Sequence, residues 1–154
     1  MTDIEFMEMA IELALETEAK GNLPIGAIIT LDNEIIAKGS NTILSPYYDP
    51  KCHAEMNALD NVNKDLWQRS NYMTCYTTLE PCCMCFGRLL LSGVGRIVFG
   101  AVDIEGGSGC LLKHLPRFYN QTNVPIWVGP LMPEKCDELF KRSLMKFNAI
   151  GKDN

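Results

Sequence analysis

The sequence predicts an α/β domain with three layers, in which helices cover both faces of a mixed sheet. Segments with helical and strand periodicity alternate in the order αββαβαβα, and a central strand–helix–strand unit is expected to place its two strands in parallel. The 154 residues contain no repeat, low-complexity tract or linker, so we expect one domain spanning residues 1–154. A chain of this length buries about 68–70% of its unfolded surface and needs no metal to hold its core together. A metal ion in it is therefore expected to be functional.

The first three elements are predicted from periodicity. Residues 3–20 read as a helix because apolar and acidic side chains recur on opposite faces, and Gly21 ends it. Its apolar face is expected to contain Ile4, Met7, Ile11, Ala14 and Leu15. The β-branched runs Ile25–Leu31 and Glu34–Lys38 are joined by Asp32-Asn33, a pair that tolerates positive φ. These runs predict a tight hairpin.

The middle of the chain predicts the crossover unit. Residues 53–63 have helical spacing, and the run Tyr72–Thr78 reads as the next strand. A helix is expected to open at Pro81, because proline in the first turn costs no intrahelical hydrogen bond. The run Arg96–Val102 is the strand that follows, parallel to the previous one.

The last third of the chain is less regular. Residues 104–123 are rich in glycine, with a short helix expected near Leu111–Leu115. Val124–Val128 predicts a fifth strand, and Pro133 opens a last helix. The apolar stripe of that helix contains Cys136, Leu139, Phe140, Leu144 and Phe147.

Charge and cysteine content limit the function classes. The 14 Lys+Arg and 19 Asp+Glu give a net charge of −5, so no strongly basic surface for nucleic acid is expected. No apolar run approaches the ~20 residues of a membrane span, and Asp3 and Glu5 lie where a secretory signal would carry Lys or Arg. We therefore expect a cytoplasmic protein with no membrane partner. The seven cysteines are odd in number, which favours thiols or metal ligands over disulfides.

Two short segments carry the chemistry. The first segment is a His-x-Glu motif formed by His53 and Glu55. After 25 further residues comes a Pro-Cys-x-x-Cys motif, whose two cysteines are Cys82 and Cys85. The two cysteines are three residues apart in the expected first turn of a helix, so both sulfurs lie on one face, where the helix terminus favours thiolates. With His53 as third ligand they suit one zinc ion per chain, with the fourth tetrahedral position open, as in catalytic sites. Glu55 then lies beside the ion without ligating it and is predicted to transfer protons.

The combined pattern H-x-E…P-C-x-x-C resembles that of the cytidine/deoxycytidylate deaminase superfamily. The resemblance is greatest to its tRNA adenosine deaminase and nucleobase deaminase branch. It extends over the segments Leu23–Ile29 and Thr78–Cys82, and over Arg96–Asp103 with the glycine-rich stretch after it. Such membership implies a five-stranded sheet covered by helices, with His53, Cys82 and Cys85 on zinc and Glu55 as proton shuttle.

The resemblance also implies residues that contact the substrate. Asn41 would hydrogen-bond the target ring, and backbone N–H groups near Ala54 and Cys82 would contact the substrate or its developing charge. Asp103 matches a position near the sugar or a flanking nucleotide. From the residues alone, Asn41 also reads as a turn residue and Asp103 as the cap of a loop. Glu80 is read as a cap for the helix that Pro81 opens.

The substrate signals are mixed. The segment Asn120–Val124 lacks the Asn-His pair usual in the tRNA branch, and the last helix lacks its Arg-rich ending. His53–Leu59, preceded by Cys52, instead resembles deoxycytidylate or riboflavin-pathway deaminases. The sequence therefore favours a zinc-dependent hydrolytic deaminase that converts an amino-bearing ring, as a small free base or nucleoside, to the oxo form and releases ammonia.

Two alternatives remain open at this point. One is a deaminase acting on the wobble adenosine of tRNA, and the other is a non-catalytic zinc or thiol module with the same fold. Members of the superfamily commonly form dimers, so a homodimer is expected. Among the cysteines outside the two motif segments, Cys75, Cys110 and Cys136 are read as small buried hydrophobic residues.

Overall fold

A computed structural model of the protein describes residues 1–120 and 124–150. Its strands are β1 (Gly26–Leu31), β2 (Glu34–Ser40), β3 (Thr74–Leu79), β4 (Arg96–Ala101) and β5 (Ile126–Val128). Its α-helices are α1 (Asp3–Ala19), α2 (Ala54–Asp60), α3 (Cys83–Leu91), α4 (Arg117–Asn120) and α5 (Pro133–Ile150), and 3-10 segments span Lys64–Tyr72 and Gly109–Lys113. No helix within the described ranges is long and apolar enough to cross a membrane.

The five strands form one mixed sheet in the order β2-β1-β3-β4-β5. Strand β1 is antiparallel to both β2 and β3, whereas β3, β4 and β5 are parallel. The crossover from β3 through α3 to β4 is the predicted parallel unit. The predicted fold class, a mixed five-stranded sheet with helices, is confirmed.

Local sequence explains where the first elements begin and end. Thr2 and Glu5 form a capping box at the start of α1, and Gly21 follows the helix with φ 95°. In the hairpin between β1 and β2, Asp32 and Asn33 have φ of 52° and 64°. The predicted positive-φ turn at this pair is therefore confirmed.

Helices cover both faces of the sheet and bury a core on each. On one face α2 and α3 contribute Ala58, Leu59, Phe86 and Leu89, which pack on side chains such as Ile29 of β1. On the other face α1 and α5 contribute Phe6, Met7, Ala10 and Cys136, which pack on side chains such as Ile28, Tyr76 and Val98. Successive strand residues point to opposite faces, so Ile28 and Ile29 fill different cores.

The predicted inner face of α1 was partly wrong. Ile4 and Leu15 are exposed, whereas the residues that α1 buries are Phe6, Met7, Ala10, Ala14 and Thr17. The physical reason is close packing. A Cβ atom at Gly26 would overlap the Ala10 carbonyl oxygen, so α1 contacts β1 through its small residues. Apolar residues occur all around this helix, and their spacing alone does not select that face.

The later elements differ in detail from the prediction. Cys136 and Leu139 of the α5 stripe are buried, but Phe147 is 58% exposed. The 3-10 segment Lys64–Tyr72 and helix α4 were not predicted. Cys110 is exposed rather than buried. The segment predicted to be irregular is 104–123, and its last three residues, 121–123, lie outside the described residues.

Candidate active site

Two helix starts bring the motif residues together. His53 immediately precedes α2 in an extended conformation, and its carbonyl accepts the first helical bond, from the Asn57 amide at 3.0 Å. Cys82 occupies the same position before α3, and Cys85 lies within that helix. Helix α3 thus begins at Cys83, two residues later than predicted from Pro81. The spacing still brings both sulfurs to one place, whereas Cys83 is exposed.

The three predicted ligand residues form a compact cluster. The ligand atoms of His53, Cys82 and Cys85 all lie within 4.8 Å of one another, and no other group of this kind occurs within residues 1–120 and 124–150. The Cys82 sulfur is 3.6 Å from His53 Nδ1. Atoms bound to one tetrahedral zinc at ~2.0–2.3 Å lie about 3.3–3.8 Å apart, so one imidazole and two thiols fit zinc in chemistry, and the distance between Cys82 and His53 fits its geometry.

The protonation of the cluster prepares it for a cation. A hydrogen bond from Cys85 and another with His53 lower the pKa of Cys82 to about 4 against the cost of burial. The contact with Cys82 raises the pKa of His53, and the Cys82 thiolate together with burial raises the pKa of Cys85. The lowered pKa of Cys82 favours its thiolate form, and metal binding would displace the proton of Cys85.

Glu55 lies beside this cluster, in the first turn of α2. The side chain is 3% exposed. Thr77 donates a hydrogen bond to one carboxylate oxygen at 3.3 Å, and the Cys85 thiol contacts the other at 3.5 Å. Burial is the main cause that raises the pKa of Glu55. A buried carboxyl group with a raised pKa, adjacent to ligands but outside the set of three, is suited to taking up and releasing a proton.

A cavity of about 150 Å³ opens onto these side chains. The residues that line it include His53, Glu55 and Cys82, together with Phe140, Leu144 and Phe147 of α5. The sequence placed these α5 residues on one apolar stripe but did not predict that they line a cavity. The available signal was the length of that stripe, which extends to Phe147 near the end of the helix.

Asn41 and Ala54 are both fully buried, and neither is among the residues that line the cavity. The Oδ1 atom of Asn41 accepts a hydrogen bond from the Ile43 amide at 3.2 Å, so the side chain does stabilise a turn. Its Nδ2 group is fully buried and has no hydrogen-bond partner within the described residues. A buried donor without a partner is costly and points to a ligand. Ala54 is the first residue of α2 and is fully buried between His53 and Glu55.

Asp103 lines the same cavity. Its Oδ1 atom accepts hydrogen bonds from the Glu105 and Gly106 amides, both at 2.9 Å. The residue therefore caps a turn of the loop that follows β4 and also lies beside the motif residues. The two roles considered for Asp103 from the sequence, the cap of a loop and a contact with the substrate, do not exclude each other.

Glu80 does not cap α3 as expected. Its carboxylate accepts hydrogen bonds from the amides of Asp103 and Gly109. The sequence could not reveal this, because these partners lie 23 and 29 residues further along the chain. The residue at the cap position of α3 is Cys82, which makes no side-chain capping hydrogen bond.

The mixed sheet, the cluster of one imidazole and two thiols, and the adjacent buried carboxylate define a class of protein. In zinc deaminases of nucleobases, a His/Cys/Cys set coordinates the metal and a glutamate outside the set transfers protons. Residues 1–101 match the family model described as the cytidine and deoxycytidylate deaminase zinc-binding region, and the chain belongs to this family. It is a hydrolytic deaminase. The resemblance predicted from the sequence is confirmed.

The chain is also similar to individual proteins of known sequence or structure. The chain is 39% identical to the tRNA-specific adenosine deaminase of Bacillus subtilis (strain 168), over 97% of this chain and 94% of that protein. Among solved structures, a tRNA:A34 deaminase that performs A-to-I editing at the wobble position superposes with a TM-score of 0.75 at 29% identity, over 88% of this chain and 98% of that one. A guanine deaminase from Bacillus subtilis superposes with a TM-score of 0.61 at 26% identity, over 92% and 94% of the two chains.

Proposed function

We propose that the protein deaminates the wobble adenosine of tRNA to inosine. The observation that carries this proposal is the 39% identity, along almost the whole of both chains, to a relative named as a tRNA-specific adenosine deaminase. The sequence alone favoured a small free base or nucleoside. The comparisons support the alternative, a tRNA substrate, better than that preference.

The size of the cavity agrees with a single base as the part of the substrate that enters. Its volume of about 150 Å³ is below the ~300–1,000 Å³ of pockets that enclose a drug-sized ligand. Enzymes that modify a base within a polynucleotide extrude that base from its stack into a pocket of this kind. The rest of the RNA would lie outside, against the rim.

The chemistry follows from the residues that line the cavity. A zinc ion held by His53, Cys82 and Cys85, one per chain, would supply an activated water as the nucleophile for the ring carbon that carries the amino group. Glu55 accepts a proton as the nucleophile attacks and delivers it to the adjacent ring nitrogen. It then passes the second proton to the departing amine. Water and adenosine thus give inosine and ammonia, and the carboxylate returns to its starting state.

Three further groups would bind the substrate. The buried Nδ2 group of Asn41 has no hydrogen-bond partner among residues 1–120 and 124–150, which suits donation to an acceptor on the ring. The backbone N–H of Ala54 lies at the start of α2, between His53 and Glu55, and would contact the reacting part of the ring. Asp103 lines the cavity and would contact the sugar or a flanking nucleotide.

The proposal extends to the domain, the compartment and the oligomeric state. Residues 1–154 would form one deaminase domain, working in the cytoplasm. Two copies would associate as a homodimer, as the family resemblance implies. A light-scattering mass near twice 17.2 kDa supports the dimer, and a mass near 17.2 kDa contradicts it.

The test compares substrates directly. Zinc-loaded protein is incubated with an anticodon stem-loop that carries adenosine at the wobble position, and with the same stem-loop carrying guanosine there. Free adenosine, guanine and cytosine are assayed in parallel, and both ammonia release and inosine content are measured. We expect ammonia and inosine from the first RNA only.

Deamination of a free base such as guanine is the second candidate. It is favoured by the likeness to the Bacillus subtilis guanine deaminase structure and by a net charge of −5, which does not favour a polyanion. Faster ammonia release from guanine than from the adenosine stem-loop would support this candidate and overturn the tRNA proposal.

A further inference from the structure

The carboxylate of Glu80 connects the two ends of one loop. Glu80 follows β3, is 8% exposed and lies two residues before Cys82. Its Oε2 atom accepts a hydrogen bond from the Asp103 amide at 3.1 Å, and its Oε1 atom accepts one from the Gly109 amide at 2.9 Å. Residues 103–109, called here the 103–109 loop, are thus held at their first and last residues by one side chain.

Two glycines allow the loop to wrap around this carboxylate. A Cβ atom at Gly107 would lie 2.5 Å from Oε2 of Glu80, and one at Gly109 would lie 2.7 Å from Oε1. Both distances are too short for any other residue to be accommodated without displacing the carboxylate. The positions of Gly107 and Gly109 are therefore explained by the approach of the loop backbone to Glu80.

Pro81 adds a second attachment beside the first. Its carbonyl accepts hydrogen bonds from the Ser108 amide at 3.0 Å and from the Ser108 hydroxyl at 2.6 Å, and Ser108 is fully buried. Cys82 and Gly107 form an antiparallel bridge. The segment that carries the predicted zinc ligand Cys82 and the 103–109 loop are consequently fixed to each other.

The charge of Glu80 is compensated by the loop. No salt bridge to this residue occurs within residues 1–120 and 124–150. Its polar contacts are backbone N–H groups, and such bonds to an ionised carboxylate are stronger than those to a neutral acceptor. Glu80 and Asp103 both line the cavity of the candidate active site. A change at Glu80 would therefore move the loop beside the substrate.

We infer that Glu80 is a positioning residue: it fixes the 103–109 loop so that Asp103 faces the cavity and binds the substrate. This inference rests on the proposed function, because there Asp103 contacts the sugar or a flanking nucleotide. Glu80 acts through the loop backbone.

The variant Glu80→Gln tests the inference. Its amide keeps one acceptor oxygen and replaces the other by a donor, so at least one of the two loop amides loses its partner. Hydrogen exchange measured by mass spectrometry or NMR is expected to become at least about tenfold faster at Asp103 or Gly109. For the adenosine stem-loop we expect KM to rise about tenfold with kcat within about threefold, and bound zinc to stay unchanged.

Two further variants make the test specific. Glu105→Gln makes the same chemical change at an exposed carboxylate of the same loop and is expected to alter neither exchange nor KM. Gly109→Ala disturbs the attachment from the loop side and is expected to raise KM as Glu80→Gln does. Because both act on one contact, the double variant should raise KM by less than the product of the single effects.

Unchanged exchange at both Asp103 and Gly109 in Glu80→Gln would overturn the inference. A fall in kcat with KM unchanged would also overturn it, since it would place Glu80 in the chemical step or the general fold. If the unmodified protein deaminates a free base and no RNA, the proposed function fails. The exchange data then decide independently whether Glu80 fixes the loop, because a free base has no sugar or flanking nucleotide for Asp103 to contact.

Discussion

The carboxylate of Glu55 contacts the thiol of Cys85, with 3.5 Å between Oε2 and Sγ, although the two residues are 30 positions apart in the chain. The contact joins α2 to α3 and puts the predicted proton shuttle against a predicted metal ligand. A thiol must lose its proton when it ligates a metal. Once Cys85 had lost its proton, Oε2 of Glu55 would be an unoccupied acceptor beside the metal. It would then be placed to accept the proton of the water that acts as the nucleophile.

Replacement of Glu55 by glutamine separates metal binding from turnover. Because Glu55 lies outside the ligand cluster, Glu55→Gln is expected to bind as much zinc as the unmodified protein. Its deamination rate is expected to fall by about 10²–10⁴, the usual contribution of a positioned acid or base. Elemental analysis and ammonia release measure the two effects. An active Glu55→Gln would contradict the role given to Glu55, and an inactive unmodified protein would favour the non-catalytic module.

The neighbouring cysteines offer a matched pair for testing the metal site. Cys85 is buried in the cluster, whereas Cys83 is exposed. Cys85→Ser is expected to lose most bound zinc and the activity with it, since a hydroxyl is a poor substitute for a thiolate. Cys83→Ser is expected to keep both. Zinc content after gel filtration with a mild chelator measures this, and zinc loss in Cys83→Ser would mean that the ligand set has been misassigned.

The close packing of α2 on β2 depends on Gly39, which has no side chain. A Cβ atom at Gly39 would overlap the Ala54 carbonyl oxygen and the Ala58 amide nitrogen, both in the helix that carries Glu55. Gly39→Ala is therefore expected to lower the free energy of unfolding by about 1–3 kcal/mol, the cost of overpacking.

Gly87 is the control for this substitution. It lies within α3 and has nothing within 4 Å of its ideal Cβ position. Gly87→Ala is expected to raise the free energy of unfolding by about 1 kcal/mol or less, because alanine is the better helix former. Urea unfolding measures both variants. Equal effects of the two would contradict the close approach of α2 to β2.

An ion pair between α1 and β4 gives a pH-dependent contribution to stability. Arg96 donates to both carboxylate oxygens of Asp3, at 2.8 and 2.6 Å, and Tyr76 donates to one of them at 2.7 Å. The bond with Arg96 is the main cause that lowers the pKa of Asp3 from 3.8 to about 2. Because the folded pKa is lowered, the stabilisation is complete above pH 3.8 and disappears as the pH falls through about 2.

The variant Asp3→Asn is expected to be less stable by about 1 kcal/mol or less at neutral pH, as the pair is partly exposed. The difference from the unmodified protein should shrink as the pH is lowered toward 2. Urea unfolding over this pH range measures it, with Glu12→Gln, an exposed change on the same helix, as control. A difference that grows on acidification would refute the assignment.

Local patterns predicted much of the fold. The turn at Asp32-Asn33, the crossover through α3 and the pairing of Cys82 with Cys85 each depend on residues close in sequence or on a spacing with a direct geometric meaning. His53, 29 positions before Cys82, was assigned to the same cluster because the combined motif resembles that of a known family. The parallel pairing of β3 with β4 followed from their connection through a helix.

Features that depend on distant partners were not predictable. The carboxylate of Glu80 binds a loop more than twenty residues away, so its motif context suggested a helix cap instead. The buried face of α1 is selected by the close approach of Ala10 to Gly26, which periodicity does not report. The place of Phe147 beside the cavity likewise follows from the path of α5 over the sheet.

The central claim is that two sulfurs and one imidazole hold a zinc ion and leave one position for solvent. X-ray absorption at the zinc edge of the purified protein tests this directly. We expect one zinc per chain with two sulfur atoms at ~2.3 Å and two lighter atoms at ~2.0–2.2 Å, of which one is a histidine nitrogen and the other a water oxygen. A third sulfur or a second histidine in the first shell, or no bound zinc, would contradict the account.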